Sequence, residues 1–374
     1  MKYDVAIIGG GIAGLSLSID LKKRGYNIVV IEKGNYPRHK VCGEYISMES
    51  QKYLHTICPP LTELNLPQIN NFKLSSIGKK EFKTRLDLGG FGISRYLLEE
   101  LLFTDAKKNG VVFMLQSKAT DIHFNSDKKS YTIKTNGDDV TASLVCNSSG
   151  RKSNLETKVK SNYPIDISTN YVGVKYHIKL DRDTTLIEIH NFEGGYCGIS
   201  SIEDNKSCLC YIVNSKNFNK VNNSISELEK TFLFKNSNLK KIFTTAEFIF
   251  KEPLTISGVN FLIKKPVTDN SFFIGDSAGS ISPITGNGMS IAFRSASILA
   301  ANVDHYFSSK ISKQQLVNNY NNFWNKEFST RVKLSRHFQK LSENPYLTNL
   351  SIRLFNSFPP LANSIIKQTH GSPF

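Results

Sequence analysis

What this chain lacks narrows its chemistry before any motif is read. Its six cysteines, at positions 42, 58, 146, 197, 208 and 210, form no CxxC pair, so neither a zinc ribbon nor a redox dithiol is written into the sequence. Nor do they make a disulfide framework, which points to a reducing cytoplasmic compartment. No run reaches the roughly 18 apolar residues that suggest a membrane span. The uncharged stretch from Val5 to Ile19 follows Asp4, is punctuated by glycines and leads to no small-residue cleavage site. It reads as a buried strand, a turn and a helix, not as a signal peptide. No metal cluster, nucleophile elbow or Walker loop is present. Tryptophan occurs once, at Trp324, and acids are scarce: 32 Asp and Glu face 47 Lys and Arg, for a formal charge of +15.

That charge comes from lysines spread along the chain. A solvated surface accounts for it, and a face meeting an anionic membrane or anionic substrate is the sharper alternative. Nucleic acid is not expected as a partner, because no helix-turn-helix, finger or RNA-binding signature accompanies the charge. With 374 residues, 40% of them hydrophobic, the chain can build one large α/β domain and a second layer. It holds no internal repeat and no low-complexity segment.

Residues 3–8 are an apolar, β-branched run suited to a central parallel strand. Residues 12–24 predict a helix that ends on Lys22, Lys23 and Arg24 with Gly25 as its stop. Asn27 to Ile31 then completes a βαβ unit. Leu97, Leu98, Leu101 and Leu102 mark a helix from about Ser94 to Lys108. Strands follow at 111–115, 119–124, 131–135 and 140–146, with a Gly137-Asp138 hairpin turn. From Tyr171 to Phe250 the pattern alternates, with strands at 171–180, 185–192, 195–201 and 207–214, interrupted by a helix near 224–234. This predicts an antiparallel sheet. Beyond Gly288 the chain reads as helical.

Two glycine-rich segments carry the chemistry. Gly9-x-Gly11-x-x-Gly14 lies between a strand and a helix. There Gly9 permits a tight turn, Gly11 admits a pyrophosphate and Gly14 lets helix and sheet pack closely. Glu32, at the end of the second strand, can take both ribose hydroxyls and disfavours a 2′-phosphate. Far downstream stand Gly275-Asp276 and then Pro283-Ile-Thr-Gly286-Asn-Gly288-Met289. A dehydrogenase that binds NAD has no use for this second segment. FAD does: Asp276 can accept from ribityl hydroxyls, and the turn at Gly286 opens a helix toward the pyrimidine edge of the flavin.

These segments resemble the flavoprotein superfamily that joins geranylgeranyl reductases, aromatic-ring monooxygenases and flavin-dependent halogenases. Gly92-Ile-Ser-Arg95-x-x-Leu98 is similar to the family's Arg-x-x-Leu helix, whose arginine lies near the FAD phosphates. Lys40-Val41-Cys42-Gly43-Glu44 is similar to the Lys-x-Cys-Gly-Glu segment of the reductase branch, which runs beside the flavin ring. The resemblance implies cofactor contacts from Gly9, Gly11, Ile12, Ala13, Gly14, Glu32, Lys33, Arg38, Val41, Cys42 and Arg95. It extends them to Ala119 (at adenine), Gly150, Gly275, Asp276, Pro283, Gly286, Gly288 and Met289. Cys42 is the candidate catalytic residue, as an acid near the reacting carbon; packing is the alternative. No metal is expected.

Departures from the pattern matter too. The Ala-Asp-Gly-x-x-Ser segment of ring hydroxylases is replaced by Asn147-Ser148-Ser149-Gly150-Arg151-Lys152-Ser153. Ser149 stands where the aspartate would be, which weakens direct reduction by NADPH in their manner. The single Trp324 excludes the Trp-x-Trp pair of halogenases. Gly194-Gly195-Tyr196-Cys197-Gly198 keeps the glycines and tyrosine of a reductase strand but lacks its tryptophan and proline. His177 and His190 read as structural histidines without an obvious carboxylate partner.

The expected architecture is α/β: a Rossmann-like FAD-binding domain (1–71, 93–155 and 266–305) with an inserted antiparallel substrate sheet (72–92 and 156–265) and C-terminal helices (306–374). The expected function is FAD-dependent oxidation or reduction of a hydrophobic small molecule, with NAD(P)H as external reductant. Hydroxylation of a phenolic or polyketide-type lipid comes first, reduction of isoprenoid double bonds second, and a partner-dependent maturation flavoprotein third. The segment from Asn344 to His370, apolar and poor in charge, predicts either a cover over the substrate mouth or an amphipathic surface on the inner face of a membrane. The sequence does not fix an oligomeric state.

Overall fold

The strand–helix–strand unit forms as the sequence predicts. In this computed structural model, which describes residues 2–151, 170–261, 264–269 and 271–374, β1 (Lys2–Ile8) and β2 (Ile28–Ile31) pair in parallel around α1 (Ile12–Lys23). Val5 and Ile7 pack with Leu15 and Ile19 on one side of the sheet, while Ala6 and Ile8 pack with Val29 and Ile31 on the other. Burial on both faces is why β1 reads as a continuous apolar run instead of an alternation. Gly25 ends α1 with φ +96°, in the left-handed region a helix terminus favours.

Next come β3 (Tyr45–Ser47), α2 (Gln51–Ile57), β4 (Gln68–Ser75), β5 (Glu81–Gly92) and α3 (Arg95–Lys108). In α3, Leu98 and Leu102 are fully buried, and Leu97 and Leu101 pack at the edge of the same core. The chain continues through β6 (Val112–Met114), β7 (Ala119–Asn125), β8 (Ser130–Thr135) and β9 (Val140–Asn147). The predicted turn at Gly137-Asp138 joins the last two.

β10 (Tyr171–Lys179), β11 (Leu186–Phe192), β12 (Gly195–Ser201) and β13 (Ser207–Asn214) lie where the alternation places them, followed by α4 (Ser215–Lys220), α5 (Ile225–Thr231) and α6 (Ser237–Thr245). The helix expected over 224–234 is divided: α5 stops at Thr231, and a separate 3₁₀ turn covers Leu233–Lys235. Two short strands follow, β14 (Glu247–Phe248) and β15 (Leu254–Val259).

The substrate sheet runs β14-β10-β13-β12-β11-β4-β5-β3, with β15 also on β10. It departs from the expected antiparallel pattern at one pair, since β11 and β4 are parallel. The chain builds β6 to β9 in the other sheet between them, so no hairpin dictates their direction. The sheet also takes in β3 and all of β4, upstream of residue 72. A three-residue strand shows no alternation to be read.

One face of this sheet carries Val174, Tyr176, Leu209 and Val213 and packs under α5, the 3₁₀ turn and α6 through Leu228, Leu233 and Leu239 in turn. The register Asn191↔Tyr196↔Ile212 puts those three side chains on the other face.

The return to the first sheet uses β16 (Val267–Thr268) and β17 (Ser271–Phe273), and then α7 (Gly288–Phe307), α8 (Lys313–Ser342), α9 (Pro345–Ser357) and α10 (Pro359–Thr369). Among the described residues the first sheet runs β16-β17-β9-β1-β2-β6, with β7 and β8 attached through β9. Its core strands β17, β9, β1, β2 and β6 are parallel. Trp324 is a core residue of α8, stacked edge-on against Phe328 at 4.6 Å.

The substrate sheet folds tightly on itself at the end of β5, where a Cβ on Gly92 would fall on the carbonyl oxygen of Ser201 in β12. Gly92→Ala is therefore expected to lower stability by about 1–3 kcal/mol, as overpacking does. The shift of the urea midpoint at unchanged slope measures it.

Candidate flavin site

Parallel strands deliver their carboxyl ends to one edge of the first sheet, where open α/β sheets bind nucleotides. Gly9 N donates to Ile31 O (2.8 Å), Ser148 N to Ile8 O (2.8 Å) and Ile274 N to Asn147 O (3.1 Å). The turns after β1, β9 and β17 are thus stitched side by side.

The three motif glycines do different work. A Cβ on Gly9 would lie 2.8 Å from the Ser148 and Ser149 backbone, and one on Gly14 would collide with Gly9 O and with Ser148 Oγ. Both are packing glycines. A Cβ on Gly11 would meet nothing within 4 Å, so this position faces open space at the amino end of α1. No side chain caps that end and no acid lies in its first turn. The N–H groups of Ile12, Ala13 and Gly14 are thus left to an anion, and the residues fit a pyrophosphate.

Glu32 is buried at the same edge, but its carboxylate already has partners. Gly10 N (2.7 Å) and Gly34 N (2.8 Å) donate to it, as do Arg38 Nη1 (2.6 Å) and Nη2 (3.1 Å). Burial alone would push its pKa up. The Arg38 contact and the two N–H donors outweigh burial and bring it down to about 2. Ribose hydroxyls must therefore share this carboxylate with Arg38 or displace it. Arg38 in turn donates from Nε to Glu99 (3.0 Å). Lys33 and Ala119 line the same end of the cavity, with Lys33 exposed.

The distal segment differs in one respect from its sequence reading. Gly275–Ser277 is a single 3₁₀ turn, and the helix begins only at Gly288. Gly275, at φ +59°, would place a Cβ 3.2 Å from the Cβ of Ala13 and 3.5 Å from that of Ala292, so it is the close-packing point of α1, β17 and α7. Asp276 accepts from Arg151 Nε at 3.0 Å. Spacing carries no sign of this ion pair, because the partners are far apart along the chain. Pro283, Gly286, Gly288 and Met289 line the cavity around the start of α7, which has no side-chain cap. Of the altered hydroxylase segment, Gly150 lines the same cavity; Lys152 and Ser153 lie outside the described residues.

The segment from Lys40 to Glu44 is clamped against the substrate sheet and the start of α3. Its carbonyls at Lys40, Cys42, Gly43 and Glu44 accept from Lys175 Nζ (3.1 Å), Cys208 Sγ (3.1 Å), Ser200 Oγ (2.7 Å) and Ile93 N (3.1 Å). Glu44 itself stands at φ +56° with a fully buried side chain. It pairs with Lys175 Nζ, meets His177 Nε2 at 2.7 Å and accepts from Arg95 N at 2.7 Å. Burial opposes the charge, yet the His177 and Lys175 contacts hold the Glu44 carboxyl below the usual carboxylate range. Cys42 and Val41 line the cavity. The Arg95 guanidinium lies beside the Cys42 sulfur and pairs with Glu99.

Both histidines set aside on sequence grounds have carboxylate partners. His177 has Glu44, and His190 lies 3.3 Å from Glu188 and 2.7 Å from Ser75 Oγ. Spacing could not reveal the first pair, since His177 and Glu44 come from different parts of the chain, whereas Glu188 and His190, two apart on a predicted strand, share a face and were legible as neighbours. His190 is fully buried under the sheet, which leaves it a structural role.

These elements enclose one cavity of about 1040 Å³. Beyond Cys42 its lining turns apolar, with Phe72, Leu74, Ile187 and Ile189 on the sheet side and Phe355 and Ile366 on the side of α9 and α10. Tyr45 OH, Tyr196 OH and Asn191 Oδ1 are buried polar atoms of this lining without a hydrogen-bond partner. Among the described residues no group of side chains could hold a metal ion.

A Rossmann-like cradle joined to a second, uncapped helix start defines an FAD-dependent oxidoreductase. A sequence profile of the FAD dependent oxidoreductase family matches residues 4–41. A digeranylgeranylglycerophospholipid reductase of Methanococcus vannielii is 24% identical, over 92% of this chain and 88% of that protein. Conditioned medium factor receptor 1 of Dictyostelium discoideum is 23% identical, over 89% of this chain and 69% of that protein. The flavin-dependent brominase Bmp2 shares the fold at a TM-score of 0.80 and 19% identity, with 98% and 93% of the two chains covered.

Two sets of substitutions probe the site. Gly11→Val should abolish FAD retention while leaving the melting temperature of the apoprotein nearly unchanged, whereas Gly14→Val should lower that of the apoprotein itself; flavin absorbance and thermal melts of the FAD-free proteins separate the two. Glu44→Gln strands Lys175 in the interior and should cost about 3–5 kcal/mol. Glu44→Gln combined with Lys175→Met should recover part of that loss in a double-mutant cycle read by denaturant.

Proposed function

We propose that this chain adds hydride to carbon–carbon double bonds of a long, apolar, isoprenoid-type lipid. The observation that supports the reading is Cys42, a thiol on the cavity wall held by the carbonyl clamp of its own segment, next to a lining that turns apolar. Bound FAD, once reduced by NAD(P)H, supplies the hydride. The chain must then provide a proton for the second carbon and keep water away from the first. The Cys42 thiol can hold that proton, and the Arg95 guanidinium beside it gives the charge left on sulfur a partner. The lining of Phe72, Leu74, Ile187 and Ile189 excludes water and binds chain by apolar burial alone. Similarity to a digeranylgeranylglycerophospholipid reductase over nearly the whole chain agrees with this choice.

A second reading is hydroxylation of a phenolic or polyketide-type lipid with dioxygen. It is favoured by Tyr45 OH, Tyr196 OH and Asn191 Oδ1, which could hydrogen-bond the oxygens of such a ring. In an assay with a polyprenyl lipid and reductant, the expected product gains two hydrogens, with or without dioxygen. A product that gains one oxygen, and only aerobically, overturns reduction in favour of hydroxylation. Cys42→Ala should retain FAD and slow the reduction by about 10² or more, the usual contribution of a positioned proton donor.

A further inference from the structure

The apolar limb of the cavity ends beneath α9 and α10, and the outer side of the same two helices carries an unusual surface. Of the twelve large hydrophobic side chains exposed among the described residues, Tyr346, Leu350, Leu354, Phe358 and Leu361 lie on this hairpin, and Leu341 lies at the end of α8 beside it. In α9 the exposed Tyr346, Leu350 and Leu354 recur every four residues and form one stripe. The opposite stripe, with Ile352 and Phe355, turns inward against Phe82 and Ala362. Leu354 belongs to both environments: it is 43% exposed and also lines the cavity. Leu341, 39% exposed, also lines the cavity, so these two side chains stand between the cavity and the outer apolar face.

The charge on the hairpin itself has one sign, and the nearby acids Glu81 and Glu343 are engaged by Lys73 and Tyr171. No Asp or Glu follows Glu343 in the chain. Arg353 and Lys367 on the hairpin, and Lys333, Arg336 and Lys340 on the adjoining turns of α8, are all exposed. We infer that the α9–α10 hairpin seats the protein on an anionic lipid bilayer, with the apolar stripe at the acyl boundary and the five cations among the headgroups. A second copy of the chain fits this face poorly, because a two-fold contact would bring both sets of cations together. A lipid substrate would then pass from the bilayer into the cavity beside Leu354 without crossing water. That last step rests on the function proposed above; the docking itself does not.

The test uses the full-length, FAD-loaded protein and phosphatidylcholine vesicles with and without phosphatidylglycerol, and needs no turnover. The protein should sediment with the vesicles that contain phosphatidylglycerol, less so as salt is raised. Leu350→Glu with Phe358→Glu should weaken this about tenfold or more while flavin absorbance is kept. Arg353→Glu with Lys340→Glu should remove the preference for anionic lipid. Tyr346→Trp adds an indole at a site that is 75% exposed, whereas the native Trp324 is 4% exposed. Its emission should shift to the blue on vesicle addition, a readout that stands even if the charge variants fail to fold. Absence of sedimentation, or no emission shift, overturns the inference. So does a dimer in gel filtration that the Leu350→Glu, Phe358→Glu variant converts to monomer.

Discussion

The buried carboxylate of Glu44 is the interaction on which the arrangement of the two sheets depends. Its backbone belongs to the segment beside the cofactor cradle, its two oxygens bind Lys175 and His177 of the substrate sheet, and one of them also takes the first N–H of α3. A charge at zero exposure is tolerable only when such partners surround it. Each partner is itself fixed, Lys175 and His177 by β10 and Arg95 by the start of α3. The cluster therefore acts as a rivet through three elements, and it sets how far Cys42 stands from the sheet. Gly173 has a matching role: a Cβ there would lie 3.2 Å from Val41 Cγ1 and 3.1 Å from Ile256 Cγ2, so its absence lets the sheet approach the segment closely.

This rivet divides the cavity into two chemical environments. On the cradle side the carboxylates Glu32 and Asp276 are each paired with an arginine, and helix starts present N–H groups, an environment for ribose, phosphate and the polar edge of a flavin. On the far side the lining is made of one face of the substrate sheet, including its parallel β4–β11 pair, and the inner face of the C-terminal helices. The sheet alternates residue by residue. The same strands therefore send Val174, Leu209 and Val213 into the helical layer beneath and Ile189, Tyr196 and Ile212 toward the ligand. One sheet thus serves as core and as pocket wall.

The βαβ unit, the strands of the substrate sheet and the helical tail were legible because each is a local, periodic signal. Gly9, Gly11 and Gly14 were legible as a motif, although only the packing around them separates the two structural glycines from the one that faces open space. What could not be read were the contacts between distant segments: Arg151 with Asp276, Lys175 and His177 with Glu44, and the parallel pairing of β4 with β11. None leaves a trace in spacing. Glu44 carried the one available hint, since it stood at the end of the Lys40–Glu44 segment that resembles the reductase branch, but its neighbours gave no reason to expect burial. The divided helix after Ser224 failed for a different reason: Phe232, Leu233 and Phe234 continue the apolar pattern past the point where the backbone changes to a 3₁₀ turn.

The arginine–carboxylate pairs of the cradle bear on how it takes a dinucleotide. Arg38 occupies the lone pairs of Glu32 that a ribose would use, and Arg151 occupies Asp276. Binding therefore exchanges one set of charge-assisted hydrogen bonds for another, so the net gain per contact is small. Affinity must come from terms with no competitor: the N–H groups at the uncapped starts of α1 and α7, and the apolar surface covered by the ring system. This places the weight of cofactor recognition on backbone geometry, at Gly11 and at Gly286 to Met289, more than on the acidic side chains that first draw the eye in the sequence. It also gives Arg38 and Arg151 a function as placeholders that orient two carboxylates at the cavity edge, and Arg38 in addition holds the pKa of the buried Glu32 carboxyl down.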